Sequence, residues 1–525
     1  MKKRNLLPLL IILLTRCNNN LSESSYNSSI IFSSSLMSSS SSLSSSFNSS
    51  STSSSSIITS VENKDGYYKS EKQSIDYETV RRTYYYKDIP TTGDVNILVV
   101  PVKFKDSSYT ENTYVTYDKM KENIEKAFFG EDYETGWESV SSYYEKSSYN
   151  KLHINGEVTD WFTVDKTFEE INKFTLNDYT DPTIYILRQV DDWYKENYGD
   201  TKKFDMDKDG YIDAIWMVYD APYKNENKID WAYTTWDLLS EEEPCKESPI
   251  AYTYAWASVD FLFDGNYIDE NNNTLVDSHT LIHETGHLLG LEDYYDYDGK
   301  TSPLGSLDMM DNNIGDHNGY SKYCLEWTNP YVVTDECEIT ISPFESSGDI
   351  IIIKNDWNKS SMDEYLLIEF YTPTGLNELD AKNEKENKYK TLFQEKGIKI
   401  YHVDSRLGYY TNDRFSEYTD EIYGINTNYK YSTKLAHSNT GGKSANRNFK
   451  LIKLLENGGS NQLNSYANVA NDSMLFHEGD TFNPNDFKRV FFEPGFFNDG
   501  EEMSYTITIK ELTNENAVIK VEKID

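Results

Sequence analysis

Apolar and polar positions fall into regular periods only from about residue 93 onward. Residues 94–106, DVNILVVPVKFKD, form a nearly unbroken β-branched run, the mark of a strand buried on both faces. In TYDKMKENIEKAFFG, Met120, Ile124, Ala127 and Phe128 recur at helical spacing, so one face is apolar, and Gly130 closes the helix. A second helix is expected over 137–146. KLHINGEVTDWFTV reads as a strand pair turning at Asn155-Gly156. DPTIYILRQVDDWYKENYG reads as a helix with Pro182 in its first turn. Residues 211–221 and 251–258 are further strands. Strands and helices therefore alternate up to about residue 330, as in a mixed α/β unit. Beyond it the helical periods fade. YLLIEFYTP, GIKIYHVDS, MSYTITIKEL and AVIKVEKID are short strands between polar loops, which predicts an all-β, sandwich-like unit. The expected fold class is α+β: a catalytic-type α/β domain over 93–330, then an all-β C-terminal domain over 331–525.

The segment before these periods is of another kind. MKKRNLLPLLIILLTRCNNN has a basic start at Lys2, Lys3 and Arg4, then an apolar core over 6–14 too short to span a bilayer. It resembles a bacterial lipoprotein signal, with LTRC as the cleavage box and Cys17 as the lipidated residue. Arg16 stands where a small residue is usual, which leaves a plain secretory signal or an uncleaved anchor open. Residues 21–60 hold 24 serines and the single charge of Glu23. Such a stretch buries too little apolar surface to offset chain entropy, so 18–62 is expected to be a disordered tether. Residues 63–92 read as a lead-in or propeptide-like segment able to cover a cleft. No cysteine lies there to act as a metal-binding latch. The expected location is the extracellular face of a bacterial membrane, held by a lipid anchor, or outside the cell.

Charge narrows the partners. The net charge is −37, which disfavours nucleic acid because phosphate binding needs clustered Lys and Arg. Tyrosine occurs 43 times, so much of the apolar mass is amphipathic and suits carbohydrate or peptide contacts. A monomer is expected. Beyond Cys17, only Cys245, Cys324 and Cys337 remain, which leaves room for one disulfide at most and does not say which.

The chemistry concentrates in HETGHLLGLEDYY. Asp277 or Ser278 can cap a helix through Leu281, Ile282, Leu288 and Leu289. His283 and His287, four residues apart on it, project from one face about 6 Å apart along the axis. Both imidazoles can then reach one zinc ion. Glu284 is rotated away from them and can act as a general base without ligating. Gly290 permits a left-handed turn that ends the helix and returns Asp293 toward the metal as third ligand; adjacent Glu292 is the alternative. Two histidines and one carboxylate leave a coordination position free, the mark of a catalytic site. HExxH alone is weak evidence, and HExxHxxGxxD, with five fixed positions, is far more specific.

With this motif on the page, the chain resembles a metzincin-type zinc peptidase, and more narrowly the secreted bacterial metallopeptidases named after immune inhibitor A. HETGHLLGLEDYYDYDG is similar to that family's zinc helix and tyrosine-rich turn. GSLDMMDNNIGDHNGYSKYCLEW is similar to its methionine turn and the helix after it. SVSSYYEKSSYNKLHINGEVTDWF is similar to its upstream segment. The similarity covers about 93–330 and weakly extends beyond. It implies a methionine floor under the zinc, with Met309 preferred over Met310. It also implies a role in oxyanion stabilisation for Tyr320. His317 is read as a substrate contact or as a structural histidine, and His279 as a support rather than a ligand.

DMDKDGYID places Asp205, Asp207, Asp209 and Asp213 at positions 1, 3, 5 and 9 of an EF-hand-like loop, with Gly210 at position 6. Position 12 is Trp216 rather than glutamate, so the loop is either a shortened calcium site or an Asx-rich turn. The expected activity is endopeptidase cleavage of protein or peptide substrates, with Glu284 as general base. The alternative is an inactive adhesin or carbohydrate-binding lipoprotein on the same fold.

Overall fold

The computed structural model describes residues 65–82, 89–174, 181–223, 229, 231–237, 243–269, 273–382, 389–412, 414–422, 431–441 and 444–524. The expected signal, the lipidation site Cys17 and the serine-rich tether lie outside them. Among the described residues no helix is long and apolar enough to cross a membrane. The architecture is mixed α and β, with several sheets.

After a short strand β1 (Tyr67–Lys69), the chain builds its first sheet from β2 (Gly93–Lys103), β3 (Leu152–Val158), β4 (Phe162–Thr163), β5 (Ile215–Tyr219), β6 (Tyr233–Trp236) and β7 (Thr253–Ser258). The order is β3-β2-β5-β7-β6, with β4 also on β2. Neighbours are parallel except β6, which runs antiparallel along the outer edge. β2 shows why its sequence is apolar throughout. Val95, Ile97 and Val99 face the core that contains helices Tyr117–Phe129, Val140–Ser147 and His279–Leu288. Leu98, Val100 and Val102 face helix Pro182–Asn197 on the other side.

The expected hairpin at Asn155-Gly156 does not form. β3 runs straight through both residues, parallel to β2, with Gly156 opposite Ile97. A Cβ on Gly156 would lie 2.2 Å from the Ile97 carbonyl oxygen and 2.7 Å from the Phe129 ring. This glycine therefore marks a close backbone approach rather than a turn.

The second half adds β8 (Tyr331–Val333), β9 (Cys337–Ile341), β10 (Ile350–Ile353), β11 (Glu364–Tyr371), β12 (Gly397–Asp404), β13 (Leu407–Thr411), β14 (Arg414–Tyr418), β15 (Tyr431–Leu435), β16 (Ile452–Leu454), β17 (Thr481–Phe482), β18 (Tyr505–Leu512) and β19 (Ala517–Lys523). A six-stranded sheet runs β1-β8-β10-β11-β12-β16, and a four-stranded sheet runs β17-β18-β19-β9. The smaller sheet packs Ile507, Ile509, Ile519 and Val521 against Leu366, Ile368 and Phe370 of β11. The opposite face of β11, with Tyr365, Leu367 and Tyr371, joins the same core as Leu281, Ile282 and Leu288 of the motif helix. The six-stranded sheet is thus a middle layer. Residue 330 marks a change of architecture, while the apolar core continues across it.

The lead-in is built into this core. β1 pairs with β8, and Tyr77, Val80 and Ile89 are buried. Its polar atoms serve the end of the motif helix: the Tyr77 hydroxyl donates to the Gly290 carbonyl at 2.7 Å, and the Ile89 amide donates to that of Leu288 at 3.0 Å. These carbonyls are among those a helix C-terminus leaves without partners. Cys245, Cys324 and Cys337 are free thiols, so none of the three is bridged.

The two-sided burial of β11 has a measurable signature. Leu367→Ala and Ile368→Ala, on opposite faces of one strand, should each destabilise by about 2–5 kcal/mol in urea titrations. A sheet with one wet face would tolerate one of the two changes.

Candidate metal centre

The motif helix spans His279–Leu288 and ends as its sequence requires. Gly290, at φ 91°, takes the left-handed position. Its amide donates to the His287 carbonyl at 2.9 Å and that of Leu291 to the Gly286 carbonyl at 3.0 Å. This pair of bonds is a Schellman motif, and it turns the chain so that Asp293 comes back under the helix. At the other end, Asp277 caps the first turn by accepting from the His279 amide at 3.0 Å, while the Ser278 hydroxyl donates to the Glu138 carbonyl instead.

His283, His287 and Asp293 converge, with one ligand-capable atom of each within 4.8 Å of the others. Asp293 Oδ1 lies 3.1 Å from His283 Nε2 and 3.2 Å from His287 Nε2. The two rings stand almost perpendicular, at 89°. Each Nδ1 faces a main-chain carbonyl at 2.7 Å, Met309 for His283 and Leu291 for His287. A carbonyl only accepts, so each Nδ1 carries a hydrogen and Nε2 is the ring atom turned toward the carboxylate. Two ring nitrogens this close to one carboxylate call for positive charge at the point where they meet, from a proton or a cation. The charges show the same demand: burial depresses His287, but Asp293 more than reverses this and raises it to about 9. Burial pushes the Asp293 carboxyl up, yet the two histidines hold it well below the ordinary carboxylate range. The donor set and the fixed tautomers fit a divalent cation, and two imidazoles with one carboxylate suit zinc.

Glu292 turns elsewhere, toward Ser438, Arg81 and Lys434. Of the two neighbouring acids, Asp293 is the one brought to the histidines. Glu284 is buried beside them. Thr234, on the edge strand β6, shares its hydroxyl between the Glu284 carbonyl at 2.9 Å and Glu284 Oε2 at 3.1 Å. Burial raises the Glu284 carboxyl above its usual range, and the two nearby histidines pull it back in part.

The turn at Met309 and Met310, expected from sequence to form the floor, divides its labour. Met309, preferred from sequence as the floor, gives its carbonyl to His283. It is the Met310 sulfur that lies where a Cβ on Gly286 would be, 2.5 Å from the ideal position. Glycine between the two histidines therefore admits Met310 against the helix. Asp308 holds the turn at φ 103°, a strained value for a non-glycine residue. Its carboxylate accepts from the Met310 amide at 2.7 Å and from the Asn318 amide and side chain at 2.7 and 2.8 Å.

His317 does not reach substrate space. It is fully buried among Tyr143, Tyr144 and Trp327, and neither ring nitrogen has a hydrogen-bond partner. Burial holds it well below its ordinary pKa, so it is a neutral packing ring. Tyr320 is likewise buried, in the company of Cys324, Tyr77, Tyr294 and Tyr365. The tyrosine that touches the candidate group is Tyr297, whose hydroxyl donates to Asp293 Oδ2. Tyr295 feels the charges of Asp293 and Glu284. Both belong to the tyrosine-rich turn visible in the sequence. Nothing local flags Thr234, which arrives from a strand 50 residues away.

His279 supports the helix from below, as expected. Its ring is stacked between Trp137 at 4.3 Å and Tyr389 at 4.1 Å. Nδ1 lies 2.9 Å from Asp277 and Nε2 3.6 Å from Asp380.

In the second acidic loop, Asp205, Asp207 and Asp209 also converge within 4.8 Å, and Asp213 stands outside that group. Asp205 accepts from the Asp209 and Gly210 amides at 3.0 Å, and Asp213 accepts from the Met206 amide at 3.1 Å. Arg82 meets Asp207 at 2.6 Å and brings a cation into the loop.

No family model matches the chain, and no curated protein matches it.

Two outcomes follow from this geometry. Gly286→Ala should cost about 1–3 kcal/mol by urea denaturation, instead of the gain of up to about 1 kcal/mol usual for an interior helix glycine. For His279, burial lowers the pKa, but Asp277 and Asp380 override it and raise the ring to about 9. The charged ring therefore stabilises the fold fully below about pH 6.5, and that contribution fades as pH rises through about 9. Unfolding free energy should fall across this window, and the fall should be shallower in His279→Gln.

Proposed function

We propose that this chain is a zinc-dependent endopeptidase of the metzincin type, similar to the secreted bacterial enzymes named after immune inhibitor A. One observation carries the reading: two histidines with fixed tautomers and a returning carboxylate face one point, with a buried glutamate one residue along the same helix. His283, His287 and Asp293 would hold the zinc. Bound there, zinc supplies Lewis acidity toward a carbonyl and toward water.

The remaining work falls to the chain. Nδ1 bonds to Met309 and Leu291 keep both imidazoles aimed, and the Tyr297 hydroxyl fixes the far oxygen of Asp293. Glu284 Oε2, oriented by Thr234, takes the proton of the attacking water and delivers it to the leaving amine. β6 is the outer strand of its sheet among the described residues, and its Thr234 meets Glu284. A strand at a sheet edge is the element that an extended polypeptide pairs with, which supports a peptide substrate. Calcium is not added to the assignment, because Arg82 already meets Asp207 in the second loop.

Glu284→Gln should retain metal and fold while losing about 10²–10⁴-fold in peptide cleavage. Metal analysis beside a casein or peptide-library digest, with and without chelator, measures both. Undiminished cleavage by this variant would overturn the mechanism.

A further inference from the structure

Three residues beyond Asp293 the chain enters the wall of a second cavity of about 520 Å³, lined among others by Asp296, Asp298, Lys300, Lys450 and Lys453. Three extended residues reach at most roughly 11 Å, so this trough begins beside the candidate centre. Its lining also carries Arg447 and Arg489. The chain as a whole has 50 basic against 87 acidic residues, yet this lining gathers five cations against two carboxylates. Those two are already engaged: Lys300 meets Asp298 at 2.6 Å and Lys450 approaches Asp296 at 3.5 Å. Lys453 donates to neutral Asn461 at 2.6 Å. Arg447 and Arg489 are exposed and have no carboxylate partner among the described residues. In a chain with so many spare carboxylates, cations left without them mark a place where negative charge comes from outside.

The trough is also built rather than incidental. His402 and Asn498 lie in its lining. The buried Glu364 carboxylate fixes both, meeting His402 Nε2 at 2.7 Å and the Asn498 amide at 2.6 Å. The buried Asp404 accepts from the Asn498 side chain at 2.8 Å and pairs with Arg406. Phenyl rings share this lining. Phe449 and Phe492 are paired at 6.4 Å, and Phe492 is 82% exposed. Several cations and phenyl rings in one lining match a chain that bears several carboxylates and apolar side chains. A single phosphate would need donors converging on one point, and a dense polyanion would meet the field of the −37 protein.

The geometry points to an exosite that captures an acidic, aromatic-containing polypeptide segment next to the scissile bond. This inference rests on the peptidase reading for the scissile bond, and its test separates the two. Fluorescence anisotropy on the full-length Glu284→Gln chain would compare a labelled Glu- and Phe-containing peptide with the same peptide carrying Gln for Glu. The acidic peptide should bind at least tenfold more tightly. Arg447→Glu with Arg489→Glu should erase that preference, and Arg447→Gln with Arg489→Gln should reduce it. Equal binding of both peptides by the parent chain would overturn the exosite whatever the variants do. So would stronger competition by inorganic phosphate or a sulfated oligosaccharide than by unlabelled acidic peptide. If the wild-type chain cleaves no peptide while the acidic preference persists, the peptidase reading fails and the binding site stands.

Discussion

Two hydrogen bonds to main-chain carbonyls organise everything around the candidate centre. Because the carbonyls of Met309 and Leu291 accept from Nδ1 of His283 and His287, both rings must turn Nε2 inward. The Schellman turn at Gly290 then brings Asp293 to the same point. The surrounding structure is arranged to keep these three groups gathered. Tyr297 holds the far carboxylate oxygen, Met310 packs at Gly286, and Asp308 sustains the strained turn that presents the Met309 carbonyl.

That arrangement depends on layers well beyond the motif. The six-stranded sheet is buried on both faces, against the motif helix on one side and the four-stranded sheet on the other. Glu369 of β11 shows the coupling in one residue. Its carboxylate pairs with Lys399 on β12 and accepts from the Gly319 amide at 2.8 Å, at the start of the helix that follows the methionine turn. The β-rich half is therefore a support for the centre as well as a neighbour. The lead-in does similar service by capping the carbonyls at the end of the motif helix.

Much of this was legible in the sequence where the information is local. The helix over His279–Leu288, its end at Gly290 and the facing of His283 and His287 follow from helical geometry and the glycine. The strands of the second half follow from β-branched runs. The failures share a physical cause. Asn155-Gly156 carries a turn signature, but β3 packs so closely on β2 that the glycine serves space instead. Tyr320 is a polar residue near the motif in sequence, yet its element packs it into an aromatic core, and of the two readings of His317 the fold shows the structural one. Asp293, the acid preferred from its spacing past Gly290, is the one that converges with the histidines, while Arg81, Lys434 and Ser438 act on Glu292.

The sequence by itself determined which side chains share a helical face, where that helix stops, and that the charge balance is acidic. Those properties depend on spacing and composition, which act over a few residues. Only the tertiary structure decided which carbonyl fixes each imidazole and that Thr234 meets Glu284. It alone brought Arg447, Arg489 and Lys453 around one trough. Each of these is a contact between segments far apart in the chain, and such contacts exist only once the shared core has closed.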